Sequence, residues 1–205
     1  MGTLFVESAS GASLAAVERG LAAFGARLVK PYPNLSLLLH TQLALFEVPA
    51  GTPLAAIART PGVLHLEASA PTVKHYGITL QPLGTHAQAE NSSLPAIMAM
   101  TGADRALARS SRGGAGVVLR VVDSGVDRSA VTAGRQVGGW SDDADRDPWT
   151  DRTGHGSMVA RLASACCPNS EIFSVKCRPS PDGDLQIESV LAAVEALLPL
   201  IQQNP

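Results

Sequence analysis

The chain has 205 residues, with 16 Lys and Arg against 18 Asp and Glu for a net charge of −2, and aromatics make up only 4%. This balance excludes the basic face of a nucleic-acid binder, the aromatic platform that stacks bases, and electrostatic attraction to an anionic membrane. Hydrophobic residues at 45% against 17% charged suffice for a buried core and exclude a disordered chain, and no apolar run reaches the roughly 18 residues that span a bilayer.

The first element is a strand over Thr3–Ser8. A helix follows, because Leu14, Val17, Leu21 and Phe24 recur at steps of three and four, with Ser13 as N-cap and Gly25 as stop. Ala26–Lys30 reads as a short strand ended by Pro31 and Pro33, and Leu43–Val48 as another. Thr52 is placed to cap a helix with Pro53 in its first turn, and Pro61-Gly62 ends it. Val63–Ala68 closes a β-α-β-β-α-β order, the pattern of a ferredoxin-like α+β domain over residues 1–70.

Residues 71–93 are polar and lack a period, so they read as a linker. The second domain, residues 94–205, begins with a helical segment over Leu94–Arg109 and a Gly-rich turn over Arg112–Gly116. Gly116–Asp127 (GVVLRVVDSGVD) is a Val-rich run ending in Asp and Gly, as a buried parallel strand looks where it leaves its sheet. Gly134–Thr153 reads as irregular and acidic. Gly154–Ala165 (GHGSMVARLASA) opens a helix, and Ile172–Lys176 is a second buried strand. The last helix carries Ile187, Val190, Leu191, Val194, Leu197, Leu198 and Ile201 on one stripe, with Asp184 as its cap and Pro199 expected to kink or end it. The second domain is therefore expected to be α/β, with part of a parallel sheet.

Functional side chains gather at the carboxyl ends of strands in such sheets, and Asp123 stands at one. His155 follows 32 residues later between Gly154 and Gly156, where a helix begins. An imidazole can act as general base, and a carboxylate behind it holds its tautomer and stabilises the imidazolium. The four acids Asp142, Asp143, Asp145 and Asp147 read as a solvated loop. Calcium is the alternative ligand there, although the spacing is not an EF-hand. His40, His65, His75 and His86 are scattered without metal spacing. The odd set Cys166, Cys167 and Cys177 reads as reduced thiols rather than disulfides or a zinc site. No other cofactor is expected.

VVDSGVD resembles the aspartate motif of the subtilisin-like serine proteases, and DRTGHGSMVA resembles their histidine motif. Ser157 stands where Thr is usual, Met158 where a second His often stands, and Arg161 at the place of a common Gly. SEIFSVKC followed by Asp182-Gly183-Asp184 resembles the next strand and a loop lining the substrate cleft. Residues 1–70 are similar to the inhibitory propeptide of the same family. The resemblance implies a serine endopeptidase acting on peptide or protein substrates, with Asp123 as orienter and His155 as general base. The family's nucleophile lies in a Gly-Thr-Ser-Met-Ala segment, behind an oxyanion-hole Asn, and the 205 residues hold no such segment. Ser157 is rejected as a substitute, because residues two apart on a helix do not face each other. It is expected to bond the backbone instead.

The chain by itself is therefore expected to be inactive. A complementing C-terminal segment or self-association is expected to cover its sheet edge. The alternative reading is a pseudoprotease or peptide-binding module without catalysis. A phosphoryl-transfer domain built on Asp123 is disfavoured by the lack of a P-loop. The start, MGTLFVESAS, has no basic n-region or long apolar h-region, so the expected location is the cytoplasm, or secretion if a signal is missing from the sequence.

Overall fold

The computed structural model describes residues 1–68, 86–179 and 185–203, with backbone alone over 86–93 and at 203. The protein is mixed α/β, with one antiparallel and one parallel sheet. Its contacts divide it into two units, Met1–Pro71 with Val194–Pro205, and Thr72–Ala193.

The first unit is a sheet of β1 (Gly2–Ala9), β2 (Arg27–Pro31), β3 (Thr41–Val48) and β4 (Val63–Ala68), in the order β2-β3-β1-β4. Every neighbouring pair is antiparallel. Alternation along β1 buries Leu4, Val6 and Ser8 on one face, as a sheet covered on one side requires. The helix α1 (Leu14–Ala22) starts where Ser13 accepts the Ala16 amide at 3.1 Å. Its Val17 and Leu21 are buried against Leu4, Val6, Phe46 and Ile57. Each such side chain contributes about 1.5–3 kcal/mol by leaving water.

Two local expectations are corrected in this unit. Pro33 does not simply break the chain: it opens a helix, α2 (Pro33–Leu39), because a proline at the first helical position gives up only an amide that has no partner there. Thr52 does not cap α3 (Leu54–Ile57). Its hydroxyl donates to the Pro49 carbonyl at 2.7 Å, and Pro53 occupies the cap position. Within this unit the Glu195 carboxylate accepts the amides of Asn34 and Leu35, each at 2.8 Å, at the start of α2.

The second unit begins with α4 (His86–Thr101), which starts inside the stretch read as linker. Gly102, with φ 76°, separates it from α5 (Ala103–Arg109). β5 (Val118–Asp123), β6 (Gln136–Ser141) and β7 (Glu171–Lys176) form a parallel sheet in the order β5-β7-β6. β6 lies in the stretch expected to be irregular. Its sequence, QVGGWS, lacks a strand period, and its pairing with β7 supplies what the side chains do not. α6 (His155–Cys166) follows β6. Val121, Val126, Val131, Trp149, Ala160 and Ile172 form this unit's core.

The last helix, α7 (Ile187–Gln203), runs through Pro199 rather than ending there. Its buried positions are Ser189, Ala192, Ala193 and Leu197, whereas Ile201 of the expected stripe is exposed. Asp184, the loop 182–184, His75 and residues 71–85 lie outside the described residues, as does the side chain of His86. Among the described residues, no helix is long and apolar enough to cross a membrane.

Candidate functional site

Asp123 is the last residue of β5 and is buried, while His155 is the first residue of α6. Parallel register sets Asp123 opposite Lys176 at the carboxyl end of the sheet. The His155 Nδ1 lies 2.9 Å from both Asp123 oxygens. The tautomer that satisfies this contact carries its proton on Nδ1 and donates to the carboxylate. Nε2 is then the ring nitrogen that carries the lone pair. The imidazole side chain is 27% exposed and that of Asp123 9%, so solvent reaches the ring more readily than the acid behind it.

Close backbone approach makes this contact. A Cβ on Gly156 would fall 2.1 Å from the Gly125 carbonyl oxygen and 3.0 Å from the Asp123 Cβ. Gly125 itself has φ 104°, and a side chain there would fall 2.2 Å from the Thr150 carbonyl oxygen. The glycines after the acid and after the histidine are thus needed where the two motifs cross.

The hydroxyls around the pair are ordered by Asp151. Its Oδ1 accepts the Ser124 hydroxyl at 2.8 Å, the Gly154 amide at 2.9 Å and the Thr153 amide at 3.1 Å. Its Oδ2 accepts the Ser157 amide at 2.8 Å and the Ser157 hydroxyl at 2.7 Å. Burial works against the charge of Asp151, but the Ser157 hydroxyl and amide, with Ser124 and Gly154, hold its carboxyl below the usual carboxylate range. Ser157 also accepts the Asp127 amide at 2.9 Å, so its backbone bond joins two loops rather than serving its own helix alone. Sequence reasoning passed over Asp151. The available signal was an acid one turn before a helix start, the usual place for an N-terminal anion.

A second cluster stands beside the first. Lys176 is wholly buried, and its Nζ donates to Asp145 at 2.6 Å and to Thr150 Oγ1 at 2.7 Å, with Asp143 Oδ2 at 3.3 Å. The acidic stretch is therefore not a plain solvated loop. Asp143 is buried, Asp142 pairs with Arg178 at 2.8 Å, and Asp147 faces Arg128 at 3.7 Å. Among the described residues, no group of three or more His, Cys, Asp and Glu is placed to hold a metal ion. His40 closes α2 in a left-handed conformation, and His65 is exposed on β4. Cys166 is exposed, Cys167 half-buried and Cys177 buried. Burial, with the charges of Asp123 and Asp142, pushes the Cys177 thiol up to about 12, so it stays protonated beside the site.

No protein-family model matches this chain, and no curated protein matches it.

Proposed function

We propose that the chain carries the acid–base half of a serine endopeptidase of the subtilisin type. The observation that carries this reading is the 2.9 Å contact of His155 Nδ1 with both Asp123 oxygens at the carboxyl end of a parallel sheet. In that role Asp123 holds the imidazole by Nδ1 and stabilises the imidazolium. His155 Nε2 takes the proton of a serine hydroxyl as it attacks the peptide carbonyl, then passes it to the leaving amine. The residue order supports the reading, because Asp precedes His here as in subtilisin.

The first unit supports it as well. The order β2-β3-β1-β4, all antiparallel, is compatible with a ferredoxin-like sheet, the fold expected of an inhibitory propeptide, with the helix α2 added between β2 and β3. A phospho-acceptor role for Asp123 fits poorly. Both its oxygens lie against His155, and Oδ1 also accepts the Ser124 amide at 2.7 Å, so neither is left open to a phosphoryl group.

The reading requires a serine nucleophile and an oxyanion-hole Asn, and the 205 residues hold no Gly-Thr-Ser-Met-Ala segment to provide the serine. Without them the base has no hydroxyl to activate and the developing oxyanion has no donors. Labelling with a serine-directed phosphonate tests this. The 205 residues alone should take up no label. A translation product that continues into a Gly-Thr-Ser-Met-Ala segment should be labelled, and His155→Ala should abolish the label. Labelling of the 205 residues alone, or labelling of the longer product that survives His155→Ala, would overturn the proposal. A continuing reading frame without a serine segment would favour a peptide-binding module without catalysis.

A further inference from the structure

Ser124 follows Asp123 directly and has one hydroxyl proton to give. Two carboxylate oxygens compete for it, Asp151 Oδ1 at 2.8 Å and Asp123 Oδ1 at 3.2 Å. The lone pairs of Ser124 Oγ face two donors, the Thr153 hydroxyl at 2.7 Å and the Gly156 amide at 3.2 Å. Thr153 Oγ1 in turn accepts the His155 amide at 3.2 Å. A chain therefore runs from the His155 backbone through Thr153 and Ser124 to Asp151, with the Thr153 hydroxyl closer to Ser124 Oγ than to Asp151 Oδ1 at 3.2 Å.

We propose that Asp151 is a positioning residue for the Asp123–His155 pair, drawing the Ser124 proton to itself so that Asp123 Oδ1 remains an acceptor for His155. The role rests on the general-base reading of that pair. Remove the Asp151 carboxylate, and the Thr153 hydroxyl keeps Ser124 Oγ as its acceptor at 2.7 Å, so the carboxylate left to take the Ser124 proton is Asp123 Oδ1 at 3.2 Å. That oxygen already holds the Ser124 amide. A further donor there weakens the bond from His155 Nδ1–H and loosens the ring whose Nε2 must meet a substrate. The same carboxylate ties Ser157 and Gly154 to the start of α6, so Asp151 also acts as an ordinary helix cap. The two roles predict different behaviour when Ser124 is removed.

The test follows the Nδ1 proton of His155 by NMR in the 205-residue chain, assigned by its absence in His155→Gln. The unaltered protein should show this proton at low field, and its exchange with solvent should quicken in Asp123→Asn. If no such proton is seen, or if Asp123→Asn leaves it unchanged, the general-base reading fails along with the proposal. Asp151→Ala should quicken exchange by about tenfold, the worth of roughly one hydrogen bond. Adding Ser124→Ala to Asp151→Ala should restore slow exchange, because the competing hydroxyl is gone. Unchanged exchange in Asp151→Ala would overturn the positioning role alone. So would a loss that Ser124→Ala fails to rescue, which would leave Asp151 as a helix cap only. Asp151→Asn, with and without Ser124→Ala, replaces the alanine variant if that one does not fold.

Discussion

Two acid–base clusters stand side by side at the carboxyl end of one sheet, since Asp123 and Lys176 are register partners. In the first, an acid holds a half-exposed imidazole by one nitrogen. In the second, the ammonium of Lys176 is sealed, its side chain 1% exposed and its charge met by Asp145 and Asp143. The strand ends are equivalent, yet one cluster is open to solvent and the other is sealed. What separates them is access. The imidazole is 27% exposed, whereas the lysine is enclosed by its two acids and holds their loop down.

Breaking the sealed cluster should have the largest effect. Lys176→Ala leaves the buried Asp143 and its neighbour Asp145 without their cation, at a cost of about 3–5 kcal/mol. Urea denaturation followed by tryptophan fluorescence reads this, because Trp149 lies in the core of the same unit. A loss under about 1 kcal/mol would show that Lys176 is not sealed.

Gly156→Ala comes next and acts on the other cluster. Its methyl collides with the Gly125 carbonyl oxygen, so α6 must shift, costing about 1–3 kcal/mol and pulling His155 from Asp123. The same denaturation experiment gives the energy. Persistence of the His155–Asp123 bond in this variant would contradict the close approach.

Acid should then separate the clusters by their carboxylates. Asp145 is held below its ordinary value of 3.8 mainly by the Lys176 bond, and Asp151 is lowered too, its hydroxyl and amide donors outweighing burial. A depressed folded pKa gives stability that is complete above the unfolded value and lost as pH falls through the folded one. The second unit should therefore hold its stability down to about pH 4 and lose it below. Asp145→Asn should flatten that loss in a pH series of urea midpoints. The smallest effect concerns the thiols. A disulfide reagent at pH 8 should modify Cys166 in the native protein and reach Cys177 only on unfolding.

What was legible in the sequence follows from how each element is stabilised. β5 and α6 could be read because their own residues carry the reason: a Val run ending in Asp-Ser-Gly, and a His between glycines. Ser13 was legible as a cap because capping is local chemistry. β6 was not, since Gly138 and Gly139 give no strand signal and β7 provides the pairing. Pro33 was misread because the same residue that breaks a helix interior suits a helix start. Lys176 showed only as the polar end of a strand. Its burial depends on acids some 30 positions earlier, which looked like a solvated run. Asp151 escaped notice because its partners, Ser124 and Ser157, converge on it only once two loops cross.

The most direct measurement is peptide hydrolysis by a product in which these residues are joined to a Gly-Thr-Ser-Met-Ala segment, compared with its Asp123→Asn form. If Asp123 holds His155 in its working tautomer, kcat should fall about 10⁴-fold while the fold is retained. An unchanged kcat in the amide variant would contradict the account.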